Sequence, residues 1–298
     1  MKKVLNQLTL FAFLFAALPT LIFAQNLDKS YKNVEFLEIS SLTGDITIKK
    51  GNTSEVQVKG EWNADKIKVD VDYDGKTLTI KEKKTRNNVG GNASNWVLMV
   101  PDNLDLDVNS GTGDLAISGV KADLDANSGT GDISVEDMEG RFDINSGTGG
   151  LEIDNAKGKF DLNSGTSYVR VTNSEGKFDA NSGTGNVEFR SVKPTGNTTL
   201  NSGTGDVEFI ISGEIEADLA LNSGTGDAIL DFAGNKIEGD FEMKCGINSG
   251  RIVAPFDFDS EQRIGNRNNG HIEKAAKIGK AMYDLEISTG TGTAKVKS

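Results

Sequence analysis

The sequence predicts an all-β protein: a parallel β-helix, or β-solenoid, with coils of about 18–20 residues and a less regular N-terminal cap. Two observations predict this fold. The string Asn-Ser-Gly-Thr returns at a nearly constant interval, and apolar and polar residues alternate within each interval. The alternative is an antiparallel propeller or sandwich, but a propeller blade needs about 40 residues.

The repeat consists of seven complete copies of Asn-Ser-Gly-Thr, of which the first five start 18 residues apart and the next two after 20 and 21 residues. The copies start at Asn109, Asn127, Asn145, Asn163, Asn181, Asn201 and Asn222. Related strings follow at Asn248, Asn268 and Ser288, and Ser41–Asp45 resembles a degenerate early copy. If each string marks the next coil, Asn109 to Ser288 spans nine steps, or roughly 43 Å at a strand spacing of about 4.8 Å.

Each unit is predicted to contain two short strands joined by two turns. Phe142 and Ile144 alternate with polar residues, and after the glycines Leu151 and Ile153 do the same. Alternation with a period of two indicates a strand, whereas Gly and Asn are poor helix formers. The first turn, Gly-Thr-Gly-Asp or a variant, is expected to use its glycines for positive φ.

Parallel stacking of these units would bury two columns of apolar side chains. The first strands contribute Leu106, Val108, Leu124, Ala126, Phe142, Ile144, Phe160, Leu162, Phe178, Ala180, Leu219 and Leu221. The second strands contribute Leu115, Ile117, Ile133, Val135, Leu151, Ile153, Val169, Val171, Val187, Phe189, Val207 and Phe209. These columns predict a narrow apolar core.

The chain divides into three predicted parts. Residues 1–24 are expected to form a secretory signal peptide, because Lys2 and Lys3 precede an apolar run. A retained membrane anchor is the alternative, but the run falls short of the roughly 20 residues of a spanning helix. Residues 25–105 form an N-terminal β region that starts and caps the solenoid, and residues 106–298 carry the solenoid repeats.

Within the N-terminal part the alternation is present but the repeat is weak. The predicted strands are Val34–Ile39, Ile46–Lys49, Val56–Lys59, Ile67–Val71, Leu78–Ile80 and Trp96–Val100, with a long loop at Lys81–Asn95. The signal peptide places the protein outside the cytoplasm, either secreted, on the cell surface or in the periplasm, with no stable membrane insertion after cleavage.

Charge and composition exclude several classes of function. The formal charge of −12 becomes −14 once Lys2 and Lys3 are removed with the signal peptide, so nucleic acid and anionic membranes are poor partners. Cys245 is the only cysteine and is expected to be a buried apolar side chain. His271 is the only histidine, which excludes multi-histidine metal sites and disfavours a catalytic triad. No cofactor is implied.

Carboxylates form the candidate metal site. One aspartate per coil points outward from the first strand, namely Asp107, Asp125, Asp143, Asp161 and Asp179. Two interpretations compete. The aspartates form a solvated acidic face beside a hydrogen-bonded Asn column, or they bind Ca²⁺ or another hard cation between neighbouring carboxylates.

The second strand and the turns carry further candidates. Glu152, Arg170 and Glu188 are expected to form a ladder of ion pairs on the outer face. The turn threonines would form another column, for which hydroxyl stacking is favoured over binding of ice or sugar. Trp62 and Tyr168 are candidate sugar-stacking aromatics, although packing in the core or cap is the commoner fate of such a Trp.

The Asn-Ser-Gly-Thr-Gly-Asp repeats after a signal peptide resemble a bacterial family of exported β-strand-repeat proteins known as candidate adhesins, whose function is unknown. The resemblance covers roughly residues 34–298. It implies a β-helix and an extracytoplasmic location, and it brings no catalytic residues because none are defined for the family. Gly150, Tyr168 and Asn186 depart from the pattern, since the other turns have Asp there.

The function predicted from these features is a non-catalytic, exported, adhesin-like module that presents a repetitive rod surface to cell-surface or matrix polymers. A carbohydrate-active β-helix enzyme is one alternative, and its site would lie where the repeat breaks, near Lys236–Arg263 with His271. A Ca²⁺-dependent surface rod is the other.

Overall fold

The computed structural model describes residues 25–85, 91–266, 270–280 and 282–298. Every helix-or-strand element assigned within these ranges is a β-strand. The all-β prediction is confirmed. Within the described ranges, no segment forms a helix of the length and hydrophobicity that a bilayer crossing needs. The signal peptide predicted at residues 1–24 lies outside them.

The repeats form the central part of the molecule, where each strand pairs in parallel with the matching strand of the next repeat. The strands are β8 (Leu104–Ser110), β9 (Leu115–Ser118), β10 (Ala122–Ser128), β11 (Ile133–Glu136), β12 (Glu139–Ser146), β13 (Leu151–Asp154), β14 (Lys157–Ser164), β15 (Val169–Thr172), β16 (Glu175–Ser182), β17 (Val187–Pro194), β18 (Thr198–Thr204), β19 (Val207–Ile211), β20 (Leu219–Thr225) and β21 (Ala228–Asp231). Even-numbered strands make the first sheet and odd-numbered strands the second. The result is a β-solenoid-like stack.

The N-terminal part adds one coil and then an antiparallel cover. Its strands are β1 (Gln25–Tyr31), β2 (Phe36–Ser41), β3 (Gly44–Lys50), β4 (Val56–Trp62), β5 (Ile67–Tyr73), β6 (Thr77–Lys84) and β7 (Ser94–Val100). Ser41 lies opposite Ser110, so the degenerate copy at Ser41–Asp45 is a true coil. β6 and β7 pair in parallel with the far edges of β2 and β3, and β5, β4 and β1 close the sheets in antiparallel pairs.

Six of the seven N-terminal strands were located correctly, although most were predicted too short, and β1 (Gln25–Tyr31) was not predicted. The loop predicted at Lys81–Asn95 is wrong at both ends, because β6 runs to Lys84 and β7 starts at Ser94. Lys81 lies opposite Asp70 in the β5–β6 hairpin. The sequence underestimates these strands because pairing with a neighbour, rather than apolar alternation, extends them.

The C-terminal part departs from chain order. Its strands are β22 (Gly239–Gly246), β23 (Gly250–Val253), β24 (Ser260–Ile264), β25 (His271–Ile278) and β26 (Asp284–Lys297). Ser288 lies opposite Asn222 on one side and Lys244 on the other. The prediction that Asn248, Asn268 and Ser288 mark successive coils is therefore wrong. Asn248 falls between β22 and β23, and Asn268 lies outside the described residues.

The core runs between the two sheets, and all the predicted inward side chains are buried in it. Phe142, Phe160 and Phe178 stack face to face, with ring centroids 4.7 and 4.6 Å apart. Identical residues stack in this way because parallel, in-register pairing places each ring above its equivalent in the neighbouring coil.

The second turn of each coil needs one residue in the left-handed region. Equivalent positions 18 residues apart hold Gly119, Asp137, Asn155, Asn173 and Ser191, with φ of 76°, 55°, 51°, 49° and 56°. Gly, Asn and Asp tolerate this conformation best. The turn therefore explains why these residue types recur outside the Asn-Ser-Gly-Thr string.

Candidate functional site: the repetitive outer faces

The Asn-Ser-Gly-Thr string builds the corner between the two sheets, and its serine points inward. The Ser146 hydroxyl accepts a hydrogen bond from the Gly149 amide (2.9 Å) and donates one to the Gly131 carbonyl of the preceding coil (3.3 Å). Ser164 and Ser182 donate in the same way to Gly149 and Ser167. Ser146, Ser164 and Ser182 thus each close their own turn and tie it to the coil below.

The turn glycines allow the coils to approach closely. A Cβ on Gly147 would lie 2.5 Å from the Gly129 carbonyl oxygen, and one on Gly149 would overlap the Gly131 carbonyl. The prediction that the turn glycines provide positive φ is wrong for the early coils, and such φ values appear only later, at Gly205, Gly226 and Gly292. The stacked backbone, rather than the local dihedral angle, requires glycine here.

The five predicted metal-site aspartates lie in one outward column. Asp107 is opposite Asp125, Asp125 is opposite Asp143, and Asp161 and Asp179 continue the series. Each carboxylate accepts a hydrogen bond from the side-chain amide of the asparagine two residues later, at 2.5 to 3.1 Å. The carboxylates therefore help to fix the asparagines.

The neighbouring asparagine column is a continuous amide ladder. Asn145 donates to the Asn127 side-chain oxygen (3.1 Å), and Asn163 donates in turn to that of Asn145 (3.1 Å). The same bond recurs from Asn109 to Asn222. In Asn127, Asn145, Asn163 and Asn181 both amide hydrogens are used, one along the ladder and one toward the aspartate, so these amides have a fixed orientation.

The aspartate column does not assemble a many-ligand cation site. Among the described residues, no group of three or more His, Cys, Asp or Glu side chains comes together as a metal site. Ca²⁺ takes six to eight oxygen ligands, so an ion between two of these carboxylates would draw most of its ligands from water or from a bound partner.

A second set of aspartates, in the turns, is structural. The Asp114 carboxylate accepts the Asp132 amide (3.0 Å), and the Asp132 carboxylate accepts the Gly150 amide (2.7 Å). Asn186, Asp206 and Asp227 continue the series at the later coils. The turn aspartate of each repeat therefore binds a backbone amide of the next coil.

Tyr168 occupies the turn position at which other coils have aspartate. A Cβ on Gly150 would lie 2.5 Å from the Tyr168 ring carbon Cζ, and the Arg170 guanidinium lies 4.7 Å from the ring centroid. The two departures from the repeat, Gly150 and Tyr168, are thus one packing arrangement. The other proposed aromatic, Trp62, is 7% exposed and stacks on Trp96 in the N-terminal cover, so the sugar-stacking role suggested for Trp62 is wrong.

The ion-pair ladder predicted on the second sheet is confirmed. Arg170 lies 3.4 Å from both Glu152 and Glu188. The ladder continues through Arg190 to Glu208 (3.0 Å), a step beyond the predicted Glu152–Arg170–Glu188 series. Arg190 and Glu208 share the outward register of their neighbours, so the same alternation predicts them as well.

An exposed ridge runs along the corner beside the asparagines. We call it the Gly-Thr ridge, and it comprises Gly111–Thr112, Gly129–Thr130, Gly147–Thr148, Gly165–Thr166, Gly183–Thr184, Gly203–Thr204, Gly224–Thr225 and Gly290–Thr291. A shallow groove of about 430 Å³ follows it, lined by Asn127, Asn145, Asn163 and Asn181 together with ridge glycines. Asparagine column, groove and ridge form one polar, periodic surface, which we call the amide face.

The region where the repeat breaks contains an open depression of about 660 Å³, lined by Lys244–Ser249, Gly270–His271 and Ser288–Gly290. None of its described lining residues is Asp or Glu, whereas glycosidases need two carboxyl groups. The hydrogen bond to Glu242, aided by the Glu286 charge, raises the pKa of Lys244, which keeps it protonated and unsuited as a base. Cys245 is buried, as predicted, and burial raises its thiol pKa.

Comparison with known proteins gives a family match but no functional relative. The family model Toastrack DUF4097 matches residues 34–238. No curated protein matches the chain. Among solved structures, a protein from Clostridium sporogenes ATCC 15579 proposed to act in cell adhesion is 14% identical, with 92% of this chain and 98% of that chain covered and a TM-score of 0.24.

Proposed function

The chain belongs to the Toastrack DUF4097 family, a domain family of unknown function, and from this premise we propose that it is an exported, non-catalytic binding module. The observation that supports this proposal is the amide face, on which the same asparagine, glycine and threonine recur in register from Asn109 to Asn222. The finer description, a rod of coils of about 18–20 residues, is part of the same proposal.

The proposed ligand is a hydroxyl-rich polymer of the cell surface or matrix. Amide oxygens along the groove and threonine hydroxyls on the adjacent Gly-Thr ridge suit sugar hydroxyl groups. The aspartate column beside the groove carries one carboxylate per coil from Asp107 to Asp179, and this row of negative charge would repel acidic polymers. A neutral polysaccharide is therefore the favoured class, bound weakly per coil and tightly only through many coils.

The proposal also places the protein outside the cytoplasm, and protease treatment of intact cells tests this location. We expect cleavage of this protein while a periplasmic control survives. Survival until the outer membrane is opened would contradict the surface location and favour a scaffold in the periplasm. The location test and the binding test are independent, because the purified protein is used for binding.

Binding is tested by co-sedimentation of the purified protein with insoluble neutral polysaccharides, with acidic polysaccharides in parallel. The variant Thr148→Arg with Thr166→Arg changes two exposed ridge residues, and its bulky charged side chains should block the groove and abolish co-sedimentation. Ser134→Arg is the matched control, because Ser134 is also exposed but lies on the second sheet. Equal binding by all three proteins would rule out the amide face.

A cation between neighbouring carboxylates of the aspartate column is a separate proposal, supported by their in-register stacking. Thermal unfolding with and without millimolar Ca²⁺ tests it. A raised midpoint that Asp143→Asn with Asp161→Asn abolishes would support binding at this column. An unchanged midpoint would contradict it.

A further inference from the structure

The last strand of the chain occupies a position out of chain order. β26 lies between β20 and β22 in the first sheet and between β21 and β23 in the second. The chain thus builds β22 to β25 beyond an empty coil position and returns to fill that position with its final 14-residue strand. Without β26, β20 and β21 would keep their pairing with β18 and β19, and β22 would keep its pairing with β25, whereas β23 pairs with β26 alone among the described strands.

The contacts of β26 are those of a complete coil. Leu285, Ile287, Ala294 and Val296 are buried. The Thr289 hydroxyl donates to the Gly226 carbonyl (2.7 Å) on one side. On the other side, the Ser249 hydroxyl donates to the Gly290 carbonyl (3.0 Å). The strand therefore connects the regular stack to the C-terminal cover. Its removal would expose apolar side chains and leave one edge of each of β20, β21, β22 and β23 unpaired.

The slot is selective for a strand with this chain's repeat pattern. A Cβ on Gly290 would lie 2.6 Å from the Gly224 carbonyl oxygen, and one on Gly292 would overlap the Gly226 carbonyl. An occupant must therefore have glycine at both positions and apolar residues at the four inward ones. At its end, Lys297 meets Glu208 (3.3 Å) and Asp231 (3.6 Å), which adds a charge requirement.

We propose that β26 is exchangeable, and that the slot between β20–β21 and β22–β23 receives the β26 of a second copy of this chain. The second copy is the occupant that meets every requirement of glycine position, apolar register and charge, because its strand makes identical contacts. Exchange leaves the pairing of β25 with β22 and with β24 in place, and residues 279–283 join β26 to β25. Exchanged strands would link rods through their C-terminal ends.

Disulfide trapping between full-length copies tests the exchange. One copy carries Asn222→Cys and a second, differently tagged copy carries Ser288→Cys, since these residues are direct partners across β20 and β26. Both copies also carry Cys245→Ala, because Cys245 lies opposite Thr289 and would compete. The mixed proteins are warmed to the onset of unfolding, cooled and mildly oxidised. We expect a covalent dimer containing both tags.

Two controls separate exchange from chance collision. The double variant Asn222→Cys/Ser288→Cys in a single chain should form an internal disulfide, which shows that the pair can bond. A mixture of Asn145→Cys and Asn163→Cys copies places the same type of pair inside the regular stack, where exchange would require unfolding of many coils. The proposal would be overturned if the single-chain control forms its internal disulfide but the Asn222→Cys and Ser288→Cys mixture gives no more mixed dimer than the Asn145→Cys and Asn163→Cys mixture.

A further variant tests whether cross-linking requires insertion of β26 into the slot of the partner. Gly292→Val in the Ser288→Cys copy should suppress the mixed dimer to the level of the Asn145/Asn163 mixture, because its side chain would overlap the Gly226 carbonyl in the slot of the partner as well as in its own. Undiminished cross-linking by this variant would show that the bond forms without strand insertion and would also overturn the proposal.

Discussion

The central coils and the two ends of the molecule differ in how their strands are paired. From Leu104 to Asp231 every strand pairs in parallel with its equivalent one repeat away, and identical residues stack. At the N-terminal end β2 and β3 lie between β6–β7 and the repeats, and at the C-terminal end β26 lies between β20–β21 and β22–β23. Antiparallel strands then cover both ends.

The difference shows what a stack of identical coils lacks. Each central coil is satisfied by its two neighbours, so one short sequence pattern is sufficient for it. An end coil has a free edge that would pair with another chain. Here each end is closed by a hairpin, β5–β6 or β24–β25, and by a segment placed out of order. The ends are therefore held by contacts between residues distant in sequence.

The largest expected effect is that of Gly149→Ala in the centre. Its Cβ would overlap the Gly131 carbonyl, and neither backbone can move without disturbing the stack. We expect the free energy of unfolding to fall by about 4–5 kcal/mol, measured by urea unfolding followed by circular dichroism. Gly75→Ala is the control in the N-terminal hairpin, where φ is +101° and no atom lies within 4 Å of the added Cβ. It should cost about 1–2 kcal/mol, and equal losses would show that close approach of the coils is not the cause.

Phe160→Ala should cause the second largest loss in the free energy of unfolding. It removes the middle ring of the stack formed with Phe142 and Phe178 and leaves a cavity that the rigid coils cannot close, at a cost of about 3–4 kcal/mol. The comparison at the C-terminal end is Phe256→Ala, because Phe256 is only half-buried against Phe241. That change should cost about 1–2 kcal/mol. A larger loss at Phe256 in the same unfolding measurement would reverse the proposed ranking of centre and end.

Ser146→Ala should have an intermediate effect. It leaves the Gly149 amide and the Gly131 carbonyl without their hydroxyl partner, and we expect a loss of about 2 kcal/mol. Ser134→Ala on the exposed face of β11 is the matched control and should change stability by less than about 0.5 kcal/mol. Hydrogen exchange should also speed up at the Gly149 amide; unchanged exchange there would mean that the serine does not close the turn.

The smallest effect concerns Asp107, where the central column meets the N-terminal coil. Burial first, and then the charges of Asp125 and Glu38, raise the pKa of Asp107 above its usual 3.8. Together they outweigh the hydrogen bond from Asn109 and the charge of Lys81, which lower it. The folded state therefore binds the Asp107 proton more tightly than the unfolded state does. As a result, the folded protein loses stability as pH rises through the unfolded-state pKa and then the folded-state pKa of Asp107. Asp107→Asn should raise the unfolding midpoint slightly at pH 7 and have no effect at about pH 3.

Asp161→Asn provides the comparison for this pH experiment within the centre. Lys159 stands two residues before Asp161 on the same outward face, with Lys177 on the next coil. Removing the Asp161 charge loses this attraction, so we expect no gain at pH 7. A gain for Asp107→Asn that is equally large at both pH values would show that its charge is not responsible.

Much of the centre could be predicted from residues alone. The buried columns, the outward aspartates and asparagines, and the Glu152–Arg170–Glu188 ladder follow from strand alternation and an 18-residue repeat. The candidate site was predicted in position but not in detail. That each aspartate orients an asparagine amide, and that Gly-Thr pairs border a groove beside them, depends on side-chain geometry that the pattern does not contain.

The repeat strands and their inward faces follow from the sequence alone, because they depend on neighbours at a fixed spacing along the chain. The reason that the turn glycines are required lies in the tertiary fold, since the overlap involves the carbonyl of another coil. The order of the last coils also depends on the tertiary fold. The string at Ser288 fits the repeat as well as any other, and its place beside Asn222 follows from which exposed edge remains to be filled.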